Sequence, residues 1–192
     1  MRLTHWIATI CFFTLLLSGI QLVISHPRFY WGETGNVNTA ALFQLPIPSS
    51  RATVKTGYGF VLPDQNGWSR SLHFQSAWLV GFTGLLYVIH GLATGHFRNN
   101  TYRRPQRLTY LAVVFVLFPL MIWTGLAMSP AVTAAVPLDV FWGGRQSART
   151  VHFLVTLWLV LFLAVHVLKV YGAGFRKLTG AMITGRIPEE GR

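Results

Sequence analysis

Two histidines lie fourteen residues apart in the apolar stretch RTVHFLVTLWLVLFLAVHVLK, which runs from Arg149 to Lys169. An α-helix turns by about 100° per residue, so His152 and His166 share a face and lie about 21 Å apart along its axis. Ionisable side chains inside an apolar helix are costly and usually functional, and neutral imidazole is a common metal ligand. The spacing therefore predicts a functional imidazole near each end of one membrane helix.

Four apolar segments are available to position the histidines. Asp, Glu, Lys and Arg are absent from residues 5–25, 72–95, 108–129 and 150–168. About 20 such residues cross a bilayer core, and the chain is only 11% charged, where a globular protein has about 25%. We predict an all-α integral membrane protein. It forms one domain over 1–192, a bundle of four transmembrane helices in which the last reaches about residue 170.

Basic residues predict the orientation of the bundle. Four arginines lie in the short loop 96–107 and five basic residues follow residue 168, whereas the much longer loop 26–71 has only four. Because basic residues accumulate on the cytoplasmic side, both termini should be cytoplasmic and loop 26–71 extracytoplasmic. The net charge of +11 is thus explained without a nucleic-acid partner. We expect the loop, rich in glycine, proline and aromatic residues, to fold over the outer face.

The number of cysteines limits which cofactors the chain could bind. The single cysteine, Cys11, excludes disulfides, a Cys-ligated iron–sulfur cluster and covalent c-type haem, which needs C-x-x-C-H. A signal peptide is the alternative interpretation of the first segment, but a small-x-small cleavage site is missing. Pro119 should kink the third helix, which contains no histidine.

Helix direction sorts four histidines into two levels. Helix one starts inside, so His5 lies level with His166. Helix two starts outside, so His73 lies level with His152. The sequence therefore predicts an inner pair and an outer pair of imidazoles, drawn from helices one, two and four.

The other three histidines are expected to have different roles. His90 lies seventeen residues after His73, about 100° away from its face. We interpret His90 as a packing residue or a proton or quinone contact rather than a ligand. His26 and His96 lie at loop edges, where we expect ordinary interfacial residues.

Small residues and cations accompany the paired histidines. Glycines fall on or near the histidine-bearing faces of helices one and two: Gly19, Gly81, Gly84 and Gly91. They would leave a groove for a flat, bulky group, although small residues also serve close helix packing. Each paired histidine has a basic residue three positions nearer the membrane surface, and these residues are Arg2, Arg70, Arg149 and Lys169.

Two imidazole pairs, flat grooves and cations placed for carboxylates predict two non-covalent b-type haems. Iron with two imidazole ligands is suited to electron transfer. The four cations would contact the haem propionates. Because the membrane segments lack Asp and Glu, the second ring N–H groups should bond to backbone carbonyls. A metal-ion transporter is the alternative from another class, but its ligands would converge at one depth.

Several motifs resemble one bacterial family. They are MRLTHWIATICFFTLLLSGIQ, HPRFYWGE, the R-x-x-H-F that begins helix two, LAMSP, GGRQSARTVHF and VHVLKV. Over nearly the whole chain they resemble thiosulfate-reductase-type cytochrome b subunits of the cytochrome b561/Ni-hydrogenase superfamily, which includes formate dehydrogenase cytochrome b subunits. The resemblance implies haem ligands on helices one, two and four. It therefore implies His5 and His166 for the inner haem, and His73 and His152 for the outer one.

The resemblance also implies a function. Such a chain is a subunit of the bacterial inner membrane that transfers electrons between the quinone pool and a partner, often a periplasmic molybdenum oxidoreductase. It would be an electron-transfer subunit rather than an enzyme by itself, with quinone or quinol as exchangeable substrate near the inner haem. His90 is the candidate quinone contact. A stand-alone quinone oxidoreductase of the cytochrome b561 type is the alternative within redox biology.

Overall fold

The computed structural model describes residues 2–36, 38–47, 66–98 and 104–186. The described part contains four helical spans that are long and apolar enough to cross a membrane: Arg2–Ser25, Gly67–Ala93, Arg104–Met128 and Arg145–Gly172. The predicted all-α bundle of four membrane helices is confirmed. The spans begin three to five residues earlier than predicted, so the arginines that precede the paired histidines lie inside the helices.

The first, second and fourth spans are single helices, which we call α1 (Arg2–Ser25), α2 (Asn66–Ala93) and α6 (Arg145–Gly172). The third span consists of α3 (Arg104–Ala112), a π-helical segment (Val113–Leu117) and α4 (Phe118–Met128). Helix α1 packs mainly against α2, and α4 packs mainly against α6. The bundle is therefore built from two helix hairpins.

The π-helical segment comes directly before Pro119. Proline has no N–H to donate and its ring clashes with the carbonyl four residues earlier, which is that of Phe115. A π turn adds one residue to the helix and removes this conflict locally. A kink was predicted at Pro119, and the feature that the structure has before this residue is the π-helical segment.

Short elements cover the outer end of the bundle. Two strands, β1 (Arg28–Phe29) and β2 (Phe43–Gln44), pair antiparallel with Phe29 opposite Phe43. Phe29 is 1% exposed and packs against Phe43 and Phe153, with ring centres 4.7 and 4.4 Å away. The connection between α4 and α6 contains α5 (Pro130–Thr133) and a 3-10 turn (Leu138–Trp142). Residues 48–65 of the long loop lie outside the described part.

The first part of the long loop is fastened to the start of α6. The Gly32 carbonyl accepts hydrogen bonds from the Gln146 and Ser147 amides at 3.0 and 3.3 Å, and Ser147 Oγ accepts one from the Gly32 amide at 2.7 Å. Thr150 Oγ1 donates to the Tyr30 carbonyl at 2.7 Å. These bonds satisfy amides that a helix start leaves open, so loop and helix form one unit, as expected of a loop that folds over the bundle.

A helix that was not predicted lies at the opposite end. Helix α7 (Phe175–Thr184) is joined to α1 by a hydrogen bond from Trp6 Nε1 to the Met182 carbonyl at 3.2 Å. The Arg2 guanidinium packs directly on Gly185. A shallow cleft of about 460 Å³ lies between α1 and α7. The inner end of α1 is thus held by the C-terminal part of the chain.

Candidate haem sites

The structure brings the four paired histidines together as the sequence predicted. The rings of His73 and His152, which we call the outer pair, have centres 6.3 Å apart and planes tilted by 57°. The rings of His5 and His166, the inner pair, have centres 6.4 Å apart and planes tilted by 50°. The names outer and inner follow the predicted orientation. Each pair combines one histidine of α6 with one from the first hairpin.

The spacing of the rings fits one metal ion per pair. A metal–imidazole bond is about 2 Å long and a ring nitrogen lies about 1 Å from the ring centre, so two imidazoles on opposite sides of one metal have centres about 6 Å apart. Both pairs have this separation. A third ligand is not required, and the described residues contain no group of three or more His, Cys, Asp or Glu side chains that could hold a metal ion. The two imidazoles of each pair are therefore a suitable donor set for bis-histidine iron.

Buried hydroxyl groups contact both rings of the outer pair. Ser18 Oγ lies 3.0 Å from His73 Nδ1, and Thr124 Oγ1 lies 2.9 Å from His152 Nδ1. Backbone carbonyls were predicted as the partners of these ring nitrogens, and the structure has hydroxyl groups at hydrogen-bond distance instead. The hydroxyls were not predicted, because a contact between helices depends on how they rotate against each other. The dipeptides Ser-Gly and Thr-Gly in the first helix of each hairpin were the available signal.

Glycines allow the outer rings to approach the facing helices. A Cβ added at Gly19 would lie 3.6 Å from His73 Cε1, and one added at Gly125 would lie 3.5 Å from His152 Cε1. These are ordinary contact distances, so anything longer than a methyl group would displace the rings. Gly19 is thus on the histidine face as predicted, whereas Gly125 was missed because helix three carries no histidine.

The inner pair has aromatic neighbours instead. The His5 ring lies edge-on to Trp6 at 5.4 Å, and the His166 ring stacks on Phe162 at 5.9 Å with planes 27° apart. Both histidines are accessible on the surface of the chain. Within the described part of the chain, their ring nitrogens form no hydrogen bond. This pair is therefore open on one side and supported by π contacts.

The four predicted cations have varied surroundings. Arg149 donates hydrogen bonds to the Arg28 carbonyl at 2.9 Å and to the His26 carbonyl, and its guanidinium lies 4.7 Å from the centre of the Phe29 ring. The side chains of Arg70 and Lys169 are exposed, and Arg2 contacts Gly185 as described above. Arg149 thus has partners in the loop, and the contacts of the four cations with propionates stay a prediction.

The three glycines of α2 divide into two kinds. A Cβ added at Gly81 or Gly84 would have no atom within 4 Å, which agrees with a groove along this helix. At Gly91 the added Cβ would lie 2.5 Å from the Phe97 ring. Gly91 therefore accommodates Phe97, and a role in the haem groove stays a prediction for all three.

The other histidines lie apart from the two pairs. His90 is exposed, and its Thr94 contact uses only the His90 backbone carbonyl. The His96 ring lies edge-on to the rings of Tyr87 and Tyr110, which places it in an aromatic cluster. His26 is exposed at a loop edge, as expected.

The two hairpins repeat one arrangement around the outer pair. In the first hairpin a hydroxyl of α1, Ser18, contacts His73 of α2. In the second a hydroxyl of α4, Thr124, contacts His152 of α6. In both hairpins a glycine follows the hydroxyl residue and an arginine precedes the histidine by three positions. The outer pair is therefore built twice from the same local structure.

Tyrosines stand where this repeat would place a second inner pair. Tyr87 follows the outer histidine of α2 by fourteen residues, as His166 does on α6. Tyr110 precedes Thr124 by fourteen residues, one more than separates His5 from the hydroxyl of α1, and the π-helical segment accounts for the additional residue. The hydroxyls of Tyr87 and Tyr110 hydrogen-bond to each other. The repeat therefore provides three ring pairs, only two of which are histidines.

Four membrane helices and two facing imidazole pairs define the class of haem-binding membrane cytochromes. The sequence profile of the family described as prokaryotic cytochrome b561 matches residues 1–185. The chain belongs to this family. It is accordingly a multi-pass protein of the bacterial inner membrane that binds haem b and transfers electrons.

One curated relative is similar over most of its length. It is the putative protein-methionine-sulfoxide reductase subunit YedZ1 of Azospira oryzae, which is 22% identical over 197 residues and covers 88% of this chain and 87% of that protein. No solved structure matches the chain. The relative is a distant one, so residue roles here depend on the structure of this chain.

Proposed function

We propose that this protein binds two haem b groups and transfers electrons across the membrane between the quinone pool and a partner oxidoreductase. The observation that carries the proposal is the presence of two facing imidazole pairs, at 6.3 and 6.4 Å, near opposite ends of α6. Their α6 members are fourteen residues apart, which is about 21 Å along a helix. The separation between the two levels suits a path through most of a bilayer core, which is about 30 Å thick.

Each of the two histidine pairs would hold one haem. His73 and His152 would hold the outer haem, and His5 and His166 the inner haem. Haem b, when bound, supplies a one-electron couple at its iron. Each iron would be held by two imidazoles, and such a donor set favours electron transfer over binding of a substrate to the metal. Helix α6 joins the two sites as a common support.

A partner subunit on the outer side is the second part of the proposal. The relative from Azospira oryzae is named as a subunit of a reductase, and the sequence resemblance implies a periplasmic molybdenum oxidoreductase as the usual partner. Loop residues 28–32 bond to residues 146–150 of α6, within two turns of His152, which gives a partner a folded surface close to that site. Quinone would exchange at the inner level, where the histidines are accessible.

Haem content tests the proposal directly. Purified protein, expressed with an adequate haem supply, should contain two haem b per chain and show two transitions in a spectroscopic redox titration. A preparation free of b-type absorbance would sink the proposal. It would leave the metal-ion transporter as the alternative, although the described residues offer it no three-ligand site.

The pairing is tested by four single substitutions. His5→Ala and His166→Ala should each remove the same redox transition, and His73→Ala and His152→Ala should each remove the other. His90→Ala is the matched control, because it also removes a membrane histidine but should retain both haems. Loss of a haem from His90→Ala, with both haems retained in His73→Ala, would show that the ligand of α2 is wrongly assigned.

The partner is tested in native membranes. A tagged chain should co-purify with a periplasmic redox subunit, and the isolated complex should oxidise quinol analogues or reduce quinone analogues. A chain that purifies alone and reacts with quinone would support the stand-alone quinone oxidoreductase instead.

A further inference from the structure

Each imidazole of the outer pair contacts a hydroxyl group, and haem ligation itself does not require this contact. In each hairpin a fully buried hydroxyl, 0% exposed at both Ser18 and Thr124, lies within hydrogen-bond distance of an imidazole Nδ1. Buried polar groups need hydrogen-bond partners. The question is which atom of each contact supplies the proton.

The backbone around the hydroxyls answers this question. Ser18 Oγ lies 2.7 Å from the Thr14 carbonyl and 3.1 Å from the Leu15 carbonyl. Thr124 Oγ1 lies 2.8 and 3.1 Å from the carbonyls of Leu120 and Met121. A hydroxyl has one proton and a carbonyl can only accept. The proton of each hydroxyl is therefore directed to its own helix, and the oxygen is left to accept.

The imidazoles must then be donors at Nδ1. Ser18 Oγ lies 3.0 Å from His73 Nδ1 and Thr124 Oγ1 lies 2.9 Å from His152 Nδ1, so each oxygen accepts from an N–H of the ring. A neutral imidazole carries one proton, so Nε2 of both rings keeps its lone pair. A metal can bind only at a nitrogen with a free lone pair.

We propose that Ser18 and Thr124 are positioning residues that fix His73 and His152 in the Nδ1–H tautomer and orient both rings for ligation through Nε2. The inference rests on the proposed function. Donation from Nδ1–H raises the basicity of a metal-bound imidazole, and a more basic ligand favours the oxidised iron. The inner pair has no such hydroxyl among the described residues. The two haems should therefore differ in reduction potential through this contact.

Substitutions that remove only the hydroxyl test the inference. Thr124→Val keeps the shape of the side chain, and Ser18→Ala removes a single atom from a buried position. In each variant the ratio of reduced to oxidised outer haem at fixed potential should rise by about tenfold, which is about 59 mV for a one-electron couple. The inner haem should keep its potential, measured in the same titration.

Two further variants separate the hydroxyl from packing. Thr124→Ser restores the hydroxyl without the methyl group and should return the outer potential to that of the wild type. Thr83→Val is the control, since Thr83 is buried at 8% exposure but bonds only to the Leu79 carbonyl of its own helix. Loss of the outer haem in Thr124→Val with retention in Thr124→Ser supports the inference as well, because the variant that keeps the hydroxyl keeps the haem even though it lacks the methyl group.

The outcomes distinguish this inference from the proposed function. Wild-type protein without haem overturns both. Wild-type protein with two haems, combined with an outer potential in Ser18→Ala and Thr124→Val no different from that in Thr83→Val, overturns the positioning role alone. Electron paramagnetic resonance of the oxidised outer haem gives a second readout, since a ring freed from its hydroxyl should change the low-spin signal.

Discussion

The outer and inner pairs have nearly the same ring separation but very different supports. At the outer pair, hydroxyl and glycine residues of two facing helices fix both imidazoles, and a folded loop packs on the helix start next to them. At the inner pair, Trp6 and Phe162 are the ring neighbours, and both histidines are accessible. The outer site is preorganised and the inner site is open.

The difference agrees with the tasks proposed for the two levels. A site that exchanges electrons with a docked protein gains from rigid ligands, because such ligands keep the coordination geometry of the metal the same in both redox states. A site next to a diffusing substrate needs access from the membrane. We therefore expect substitutions near the loop to affect the outer haem alone and substitutions near α7 to affect the inner haem alone.

The largest effect is expected at Gly144, where the loop meets α6. Gly144 has a φ of +125°, and an added Cβ would lie 2.5 Å from the Glu33 amide nitrogen and the Gly32 carbonyl carbon. Gly144→Ala should cost about 3 kcal/mol through strain and displacement of the loop. In thermal denaturation followed by haem absorbance, the outer haem should be released at a clearly lower temperature than in the wild type.

The neighbouring glycine provides the control for this variant. Gly143 has a φ of +70°, but an added Cβ would meet nothing within 4 Å. Gly143→Ala should therefore cost only about 1 kcal/mol of conformational strain. Equal stability losses in the two variants would show that the close approach of Glu33 to Gly144 is not important.

Arg149 is expected to have the next largest effect. Its guanidinium donates to the Arg28 and His26 carbonyls and covers the Phe29 ring. Arg149→Ala should destabilise the outer end by about 2 kcal/mol, since hydrogen bonds from charged groups contribute this much. Limited proteolysis should then cleave the loop more rapidly. Arg145→Ala, which removes an exposed side chain one turn earlier, should leave the cleavage rate unchanged.

The depth of each paired histidine in the membrane could be predicted from the sequence, because depth depends only on the position of the residue within its own helix and on the direction of that helix. A spacing of fourteen residues fixes the relative face and depth of His152 and His166 whatever surrounds them. Helix direction then assigns His5 and His73 to the two levels, and the structure brings the same residues together. Fold class was predictable for a similar reason, since apolar length alone defines a membrane span.

The supports of the sites could not be predicted in this way. The contacts of Ser18 and Thr124 depend on the rotation of one helix against another, which periodicity within one helix does not contain. Arg149 was predicted to contact a haem propionate, and the loop carbonyls that it meets are 121 and 123 positions away in the chain. Helix α7 follows a short break at residues 173–174 and is too short to be recognised as a span.

Substitution of Trp6 tests whether a change near the inner pair affects the inner haem alone. Trp6→Phe keeps the aromatic contact with His5 but removes the hydrogen bond to the Met182 carbonyl, a loss of about 1 kcal/mol. Helix α7 should loosen, which hydrogen exchange would detect as faster exchange in 175–184. The inner haem should be released at a slightly lower temperature and the outer haem at the same one. Trp158→Phe, which alters a side chain that is 62% exposed, should change neither.

The smallest effect is expected at the pair formed by Tyr87 and Tyr110. A substitution there also tests why the chain has two histidine pairs rather than three. Tyr87→Phe removes one hydroxyl from the bond with Tyr110 and leaves the stacked contact between Tyr110 and Phe97, so it should cost about 0.5 kcal/mol. Both haem potentials and quinol oxidation should stay the same, because the tyrosine pair serves packing and is separate from the inner pair of His5 and His166. A changed inner potential or a lost quinol reaction in Tyr87→Phe would instead assign the third ring pair a part in electron transfer.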